Sequence, residues 1–155
     1  MLIALASVPV SAQSIRWFPE INSNNPSSGS LAWDISADGQ VIVGTLRTSA
    51  GFRPFRWTRE GGYQNLFVGA LNVEGGAFAI SDSGQVVVGF AGHRAFRWTE
   101  SGGLELLPPA LLDANDVSAD GSVIVGTGVN GAARLTPNGI QTIAQQGAVP
   151  WGGLC

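Results

Sequence analysis

One ten-residue phrase occurs three times in this chain and limits its fold more than any other feature. Ile35-Ser36-Ala37-Asp38-Gly39-Gln40-Val41-Ile42-Val43-Gly44 returns as Ile80-Ser81-Asp82-Ser83-Gly84-Gln85-Val86-Val87-Val88-Gly89. It returns again as Val117-Ser118-Ala119-Asp120-Gly121-Ser122-Val123-Ile124-Val125-Gly126, the closing glycines standing 45 and 37 residues apart. A second phrase trails each copy: Phe55-Arg56-Trp57-Thr58, Phe96-Arg97-Trp98-Thr99 and the weakened Ala133-Arg134-Leu135-Thr136. Each is followed by a turn at Gly61-Gly62, Gly102-Gly103 or Asn138-Gly139, and a half-copy, Ile15-Arg16-Trp17, stands in front. Units of this size cannot bury their apolar faces alone, so neighbouring copies must stack.

Each unit reads as four strands. A first strand ends at Ile35. Ser36 to Gly39 is a turn in which Asp38 caps backbone amides and Gly39 accepts positive φ, as Gly84 and Gly121 do in the other copies. Val41-Ile42-Val43 is a β-branched run of the kind covered on both faces. A surface loop is expected next, because the distance from Gly44 to Phe55 is eleven residues but from Gly89 to Phe96 seven. Phe55 and Trp57 alternate with Arg56 as a third strand, and Tyr63 to Phe67 is a fourth after a glycine hairpin. No stretch shows a helical period.

Four antiparallel strands per repeat is the size of a propeller blade. The expected fold is all-β, a propeller-like open arc of about three and a half blades, too few for a closed propeller; a β-solenoid is the alternative. The divisions are residues 13–30 for a leading half-repeat and loop, 31–70, 71–109 and 110–147 for repeats 1 to 3, and 148–155 for a tail or the start of another repeat. Only 12% of residues are charged while 45% are hydrophobic, which excludes disorder, and the 22 glycines suit a chain full of tight turns. Eight Arg and no Lys against eleven acids give a net charge of −3, so nucleic acid is not an expected partner.

The joined phrases resemble the HAF family of extracellular repeats, which links an Ile-Ser-x-x-Gly turn, a Val-Val-Gly strand and an Ala-Phe-Arg-Trp-Thr strand. Ala95-Phe96-Arg97-Trp98-Thr99 matches the last element fully, Pro54 replaces the alanine in the first copy, and Ala133 and Leu135 replace both aromatics in the third. The resemblance covers residues 15–145 and implies a bacterial secreted or surface location more than an activity. At the N-terminus, the apolar run of residues 2–10 and the small residues Ser11 and Ala12 resemble a signal peptide over residues 1–12, without a basic n-region. The run is too short to span a membrane; the other reading is an apolar strand packed on the domain. The single cysteine, Cys155, fits no disulfide framework or metal cluster, and the chain reads as a piece of a longer one.

Candidate chemistry is sparse. His93, the only histidine, has no assignable nucleophile or orienting partner and reads as a loop residue, a candidate for binding beside Trp33 and Trp151 but not for catalysis. Asp34 with Asp38, and Asp116 with Asp120, resemble the first half of a calcium loop, but Thr45 stands where the closing glutamate belongs, so these acids read as turn formers. Arg56, Arg97 and Arg134 recur once per copy and are expected to tie blades together through carboxylates or carbonyls. Trp57 and Trp98 recur and read as core, whereas Trp33 and Trp151 do not recur and are the candidates for an exposed, sugar-stacking surface. The functional expectation is a secreted or cell-surface repeat protein with a structural or binding role, its partner a glycan or surface protein, with no catalysis, no cofactor and no membrane span. Self-association through open blade edges or further repeats is expected. The alternative is a glycosidase-type enzyme, for which Asp34 and Asp116 are the only carboxylate pair to consider.

Overall fold

The computed structural model describes residues 29–67 and 73–145, and they form twelve strands in three sheets with no helix among them. The first blade comprises β1 (Gly29–Ile35), β2 (Val41–Thr48), β3 (Gly51–Thr58) and β4 (Gly62–Asn65). The second comprises β5 (Gly75–Ile80), β6 (Val86–Ala91), β7 (Arg94–Thr99) and β8 (Gly103–Leu106). The third comprises β9 (Leu111–Val117), β10 (Ile124–Gly128), β11 (Gly131–Thr136) and β12 (Gly139–Gln145). Each is an antiparallel meander in chain order, which sets aside the solenoid. The three sheets stack as an open array with the second blade in the middle. The expected signal peptide, the half-repeat at Ile15-Arg16-Trp17, Trp151 and Cys155 lie outside the described residues.

The repeated turn is a closed local unit. Gly39 N–H donates to Ser36 C=O at 2.8 Å, Ser36 N–H donates to Val41 C=O at 2.9 Å, and Val41 N–H donates back to Ser36 Oγ at 3.0 Å. Ser81 and Ser118 repeat every one of these bonds. The chain reverses only because the fourth residue turns left-handed: Gly39, Gly84 and Gly121 have φ of 70°, 71° and 75°. The serine hydroxyl stands in for a strand partner of the incoming Val N–H, and it is buried in the first two copies, Ser36 and Ser81, and half-buried in the third, Ser118.

Two expectations are corrected. The segment read as a variable loop is strand: β2 and β3 meet at a two-residue turn, Ser49–Ala50, and β6 and β7 at Gly92–His93. The four extra residues of the first copy are two more on each strand, so the length difference is a longer hairpin with the same turn. The first blade also starts at Gly29, within the segment assigned to the leading loop, and its last strand ends at Asn65.

Strand alternation sends the two apolar sets to opposite sides. In the second blade Val87, Phe96 and Trp98 face the first blade and meet Val41, Val43, Leu66 and Phe67. Val86, Val88 and Ala95 face the third blade and meet Leu111, Ala114, Ile124 and Ala133. The unbroken valine run therefore serves two interfaces at once. Phe96, fully buried, contributes about 1.5–3 kcal/mol on its own. Trp98 is core as expected, but Trp57, its counterpart, is only half-buried, since it lies on the side of the first blade away from the second.

Candidate functional site

The first strand of every blade carries the same irregularity. Ala32 pairs with Gly44 and Asp34 with Val43, leaving Trp33 as an extra residue; Phe78 and Asn115 are extra in the same way in β5 and β9. Such bulges bend the strand and re-aim one side chain. They also account for the closing glycine of the repeated phrase. A Cβ on Gly44, Gly89 or Gly126 would strike the carbonyl oxygen of Leu31, Gly76 or Asp113 respectively, on the bulged strand opposite.

The bulge residues of the first two blades build an aromatic step. Trp33 is 52% exposed, its indole N–H donates to Thr45 Oγ1 at 3.1 Å, and its ring stands edge-on to Phe78 at 6.0 Å. Phe78 stacks in turn on Phe90 at 5.2 Å, and both phenylalanines are half-buried. A single hydrogen bond and a T-shaped contact hold the Trp33 ring in place while one face stays in solvent. In the third blade the row ends in the polar, exposed Asn115. Of the expected binding residues, Trp33 joins this cluster and His93 does not, being exposed on the β6–β7 turn. The sequence reading missed Phe78 and Phe90, although a signal was present: Phe78 stands two residues before Ile80 as Trp33 stands two before Ile35, an aromatic position that a search for recurring tryptophans passes over.

Between blades run two equivalent grooves, of about 840 Å³ beside Arg56 and about 580 Å³ beside Arg97. Of the recurring arginines, Arg56 reaches a carboxylate of the next blade as expected, though only as a long and exposed pair. Arg56 lies 5.8 Å over the Trp98 ring, and its only ion pair among the described residues is a 4.0 Å approach to Glu100, whose side chain is 82% exposed. Such an exposed pair contributes little. Among the described residues the Nε atoms of Arg56, Arg94 and Arg97 are buried without a hydrogen-bond partner, and Arg134 is exposed. Carbonyls are held by the arginines three residues earlier, across the repeat boundary for Arg53 and within its own repeat for Arg94. Arg53 Nη1 donates to Phe52 C=O at 2.9 Å and Val73 C=O at 3.2 Å, and its counterpart Arg94 donates to Leu107 C=O at 2.6 Å. The signal was present as Arg-x-x-Arg in both copies.

The acids are all engaged by the protein itself. Asp38 accepts from Ser36 Oγ at 2.6 Å and Gln40 N–H at 3.0 Å, which lowers its pKa below the usual carboxylate value. Asp120 accepts from Ser118 Oγ at 2.6 Å and from Ser122 N–H and Oγ, which lowers its pKa to about 2. Asp34 accepts from its neighbour Ile35 N–H at 2.8 Å and, across the blade boundary, from Ile80 N–H at 2.9 Å. Asp116 is exposed and accepts from Val117 N–H at 2.8 Å. Asp34 thus belongs to the interface of the first two blades and Asp116 to the far side of the third, so they do not flank a common site. Among the described residues no three His, Cys, Asp or Glu side chains converge on a metal position, and no helix is long and apolar enough to cross a membrane.

No family model matches the chain, and no curated protein matches it.

Proposed function

We propose that the chain is a HAF-type repeat protein, secreted or displayed at a bacterial surface, that binds a glycan and does not transform it. The observation that carries the reading is the aromatic step of Trp33, Phe78 and Phe90, a half-open stack on a rigid sheet. Pyranose rings present apolar C–H faces that stack on such rings, while their hydroxyls need polar groups near by. Thr45 is buried and accepts the Trp33 N–H, so its part is to orient the ring. Placement on strands fixes the rings with little entropy left to lose on binding. The separation of Asp34 from Asp116 speaks against hydrolysis by a carboxylate pair. The location rests on the apolar run and small residues of the N-terminus and on the HAF phrases.

The test is a glycan array probed with the chain and with Trp33→Ala, beside a panel of glycoside substrates. Binding that weakens about tenfold in Trp33→Ala, without substrate turnover, supports the reading. Glycan binding untouched by Trp33→Ala and by Phe78→Ala would move the site elsewhere. Turnover would make the protein an enzyme.

A further inference from the structure

The outer face of the third blade carries the same framework positions as the inner faces of the first two, but no other described blade packs on them. Val43 and Val88 are 0% exposed where another blade follows, and their counterpart Val125 is 36% exposed. Leu66 and Leu107 are 3% and 5% exposed, and their counterpart Ile143 is 62% exposed. Arg56 and Arg97 are half-buried at blade boundaries, whereas Arg134 is exposed. The face is therefore not a surface with a few stray apolar residues. It is one side of an interface that the chain already makes twice.

We infer that this face docks a further blade of the same repeat, and that Asp116 selects which kind. The first boundary shows the rule. Asp34 uses Oδ1 for its own Ile35 N–H and Oδ2 for Ile80 N–H of the next blade. Ile80 N–H is open to that bond because its own blade has Ala79 where Asp34 stands in the first. Beside the bond, Ala37 N–H donates to Asp82 C=O of the next turn at 3.1 Å. Asp116 repeats the first half: Oδ1 accepts from Val117 N–H, and Oδ2 has no hydrogen-bond partner among the described residues. Ala119, the counterpart of Ala37, is exposed beside it.

The occupant must then present a backbone N–H that its own aspartate does not hold. A blade of the second kind does so, with a small residue before its Ile-Ser turn and Phe-x-Trp on its leading face. A second copy of this chain does not, because its first blade presents Asp34 and an Ile35 N–H already bonded to it. Two carboxylates at one boundary would also repel. The alternation of Asp34, Ala79 and Asp116 along the array is in this view a pairing code, in which an acid on one blade meets a small residue on the next.

The test adds one blade to the full chain. Residues 68–107 are duplicated after Gln145, and backbone hydrogen exchange is compared with the parent. Docking slows exchange across β10 to β12, and the added copy's amide corresponding to Ile80 is protected about tenfold more than in the same four-blade chain carrying Asp116→Ala. An added blade with aspartate at its Ala79 position should dock more weakly than the copy with alanine. Unchanged exchange on β10 to β12 with an added blade that is itself folded overturns the proposal. Equal protection with either residue leaves the face in place but overturns the role given to Asp116. If the unextended chain dimerises on sedimentation and buries Val125 and Ile143 against its twin, the occupant is a second copy and the assignment is wrong.

Discussion

Gly89→Ala separates two reasons for which this chain needs glycine. In an ordinary strand the change would stabilise by about 0.5–1 kcal/mol, since alanine loses less backbone entropy. Gly89 does not have positive φ, so backbone strain predicts no penalty. The bulge predicts a large one. A Cβ at residue 89 would strike the carbonyl oxygen of Gly76 and lie 2.9 Å from its carbon and 3.0 Å from Ala77 Cα, all of them backbone atoms with no rotamer to retreat into. The sheet relieves this only by straightening β5. That would re-aim Phe78, loosen a ladder bond or two at about 1 kcal/mol each, and overpack the interface by about 1–3 kcal/mol. The terms sum to about 2–5 kcal/mol, and the entropy that alanine saves leaves an expected loss of about 2–4 kcal/mol, a large part of the roughly 5–15 kcal/mol that holds a domain folded. Gly103→Ala is the complementary change, with φ of +68° and nothing within 4 Å of the added methyl. It should cost only the left-handed strain of about 1–2 kcal/mol. Urea unfolding followed by tryptophan fluorescence, with Trp98 as the buried reporter, measures both. If Gly89→Ala is no more costly than Gly103→Ala, the bulge is not what demands the glycine.

The other expected outcomes use the same comparison of counterparts. Asp34→Ala should cost about 1–3 kcal/mol by stranding Ile80 N–H, and Asp116→Ala no more than about 0.5 kcal/mol, in the same unfolding assay. Arg94→Met should cost about 1–2 kcal/mol through the Leu107 carbonyl, while Arg97→Met, which breaks no hydrogen bond among the described residues, should be nearly neutral; a reversed order would give the recurring arginine the larger structural role. Asp120 has a lowered pKa in the folded state, so its stabilising effect is complete above its unfolded value of 3.8 and fades as pH falls from about 4 to about 2. Ser118→Ala, which removes the largest cause, should move the Asp120 titration seen by NMR upward and shift this loss to higher pH.

The repeat architecture was legible because its determinants are local. Ser36, Asp38, Gly39 and Val41 lie within six residues and complete their hydrogen bonds among themselves, so the turn can be read without knowing what surrounds it. The alternation of Phe55, Arg56 and Trp57 likewise encodes a strand with two different faces. What the sequence left open were relations between copies. A difference in spacing looked like a loop because length alone cannot distinguish a longer turn from a longer hairpin with the same turn. The bulge was invisible because it is a mismatch between two strands, and neither strand alone carries a sign of it.

By itself the sequence determined the all-β class, the four-strand unit, the positions of its glycine turns and the two-sided apolar strands that force stacking. Tertiary structure decided which copies of a repeated residue do which work. Trp33 and Phe78 became one surface through bulges on adjacent blades, and Asp34 became a link between blades while its twin Asp116 stayed exposed. Arg53 and Arg94 took the carbonyls that the more regular Arg56 and Arg97 had been expected to hold. The physical reason is that repeated sequence specifies identical local geometry, but a side chain's energy depends on its neighbour. In an open array each copy has a different neighbour.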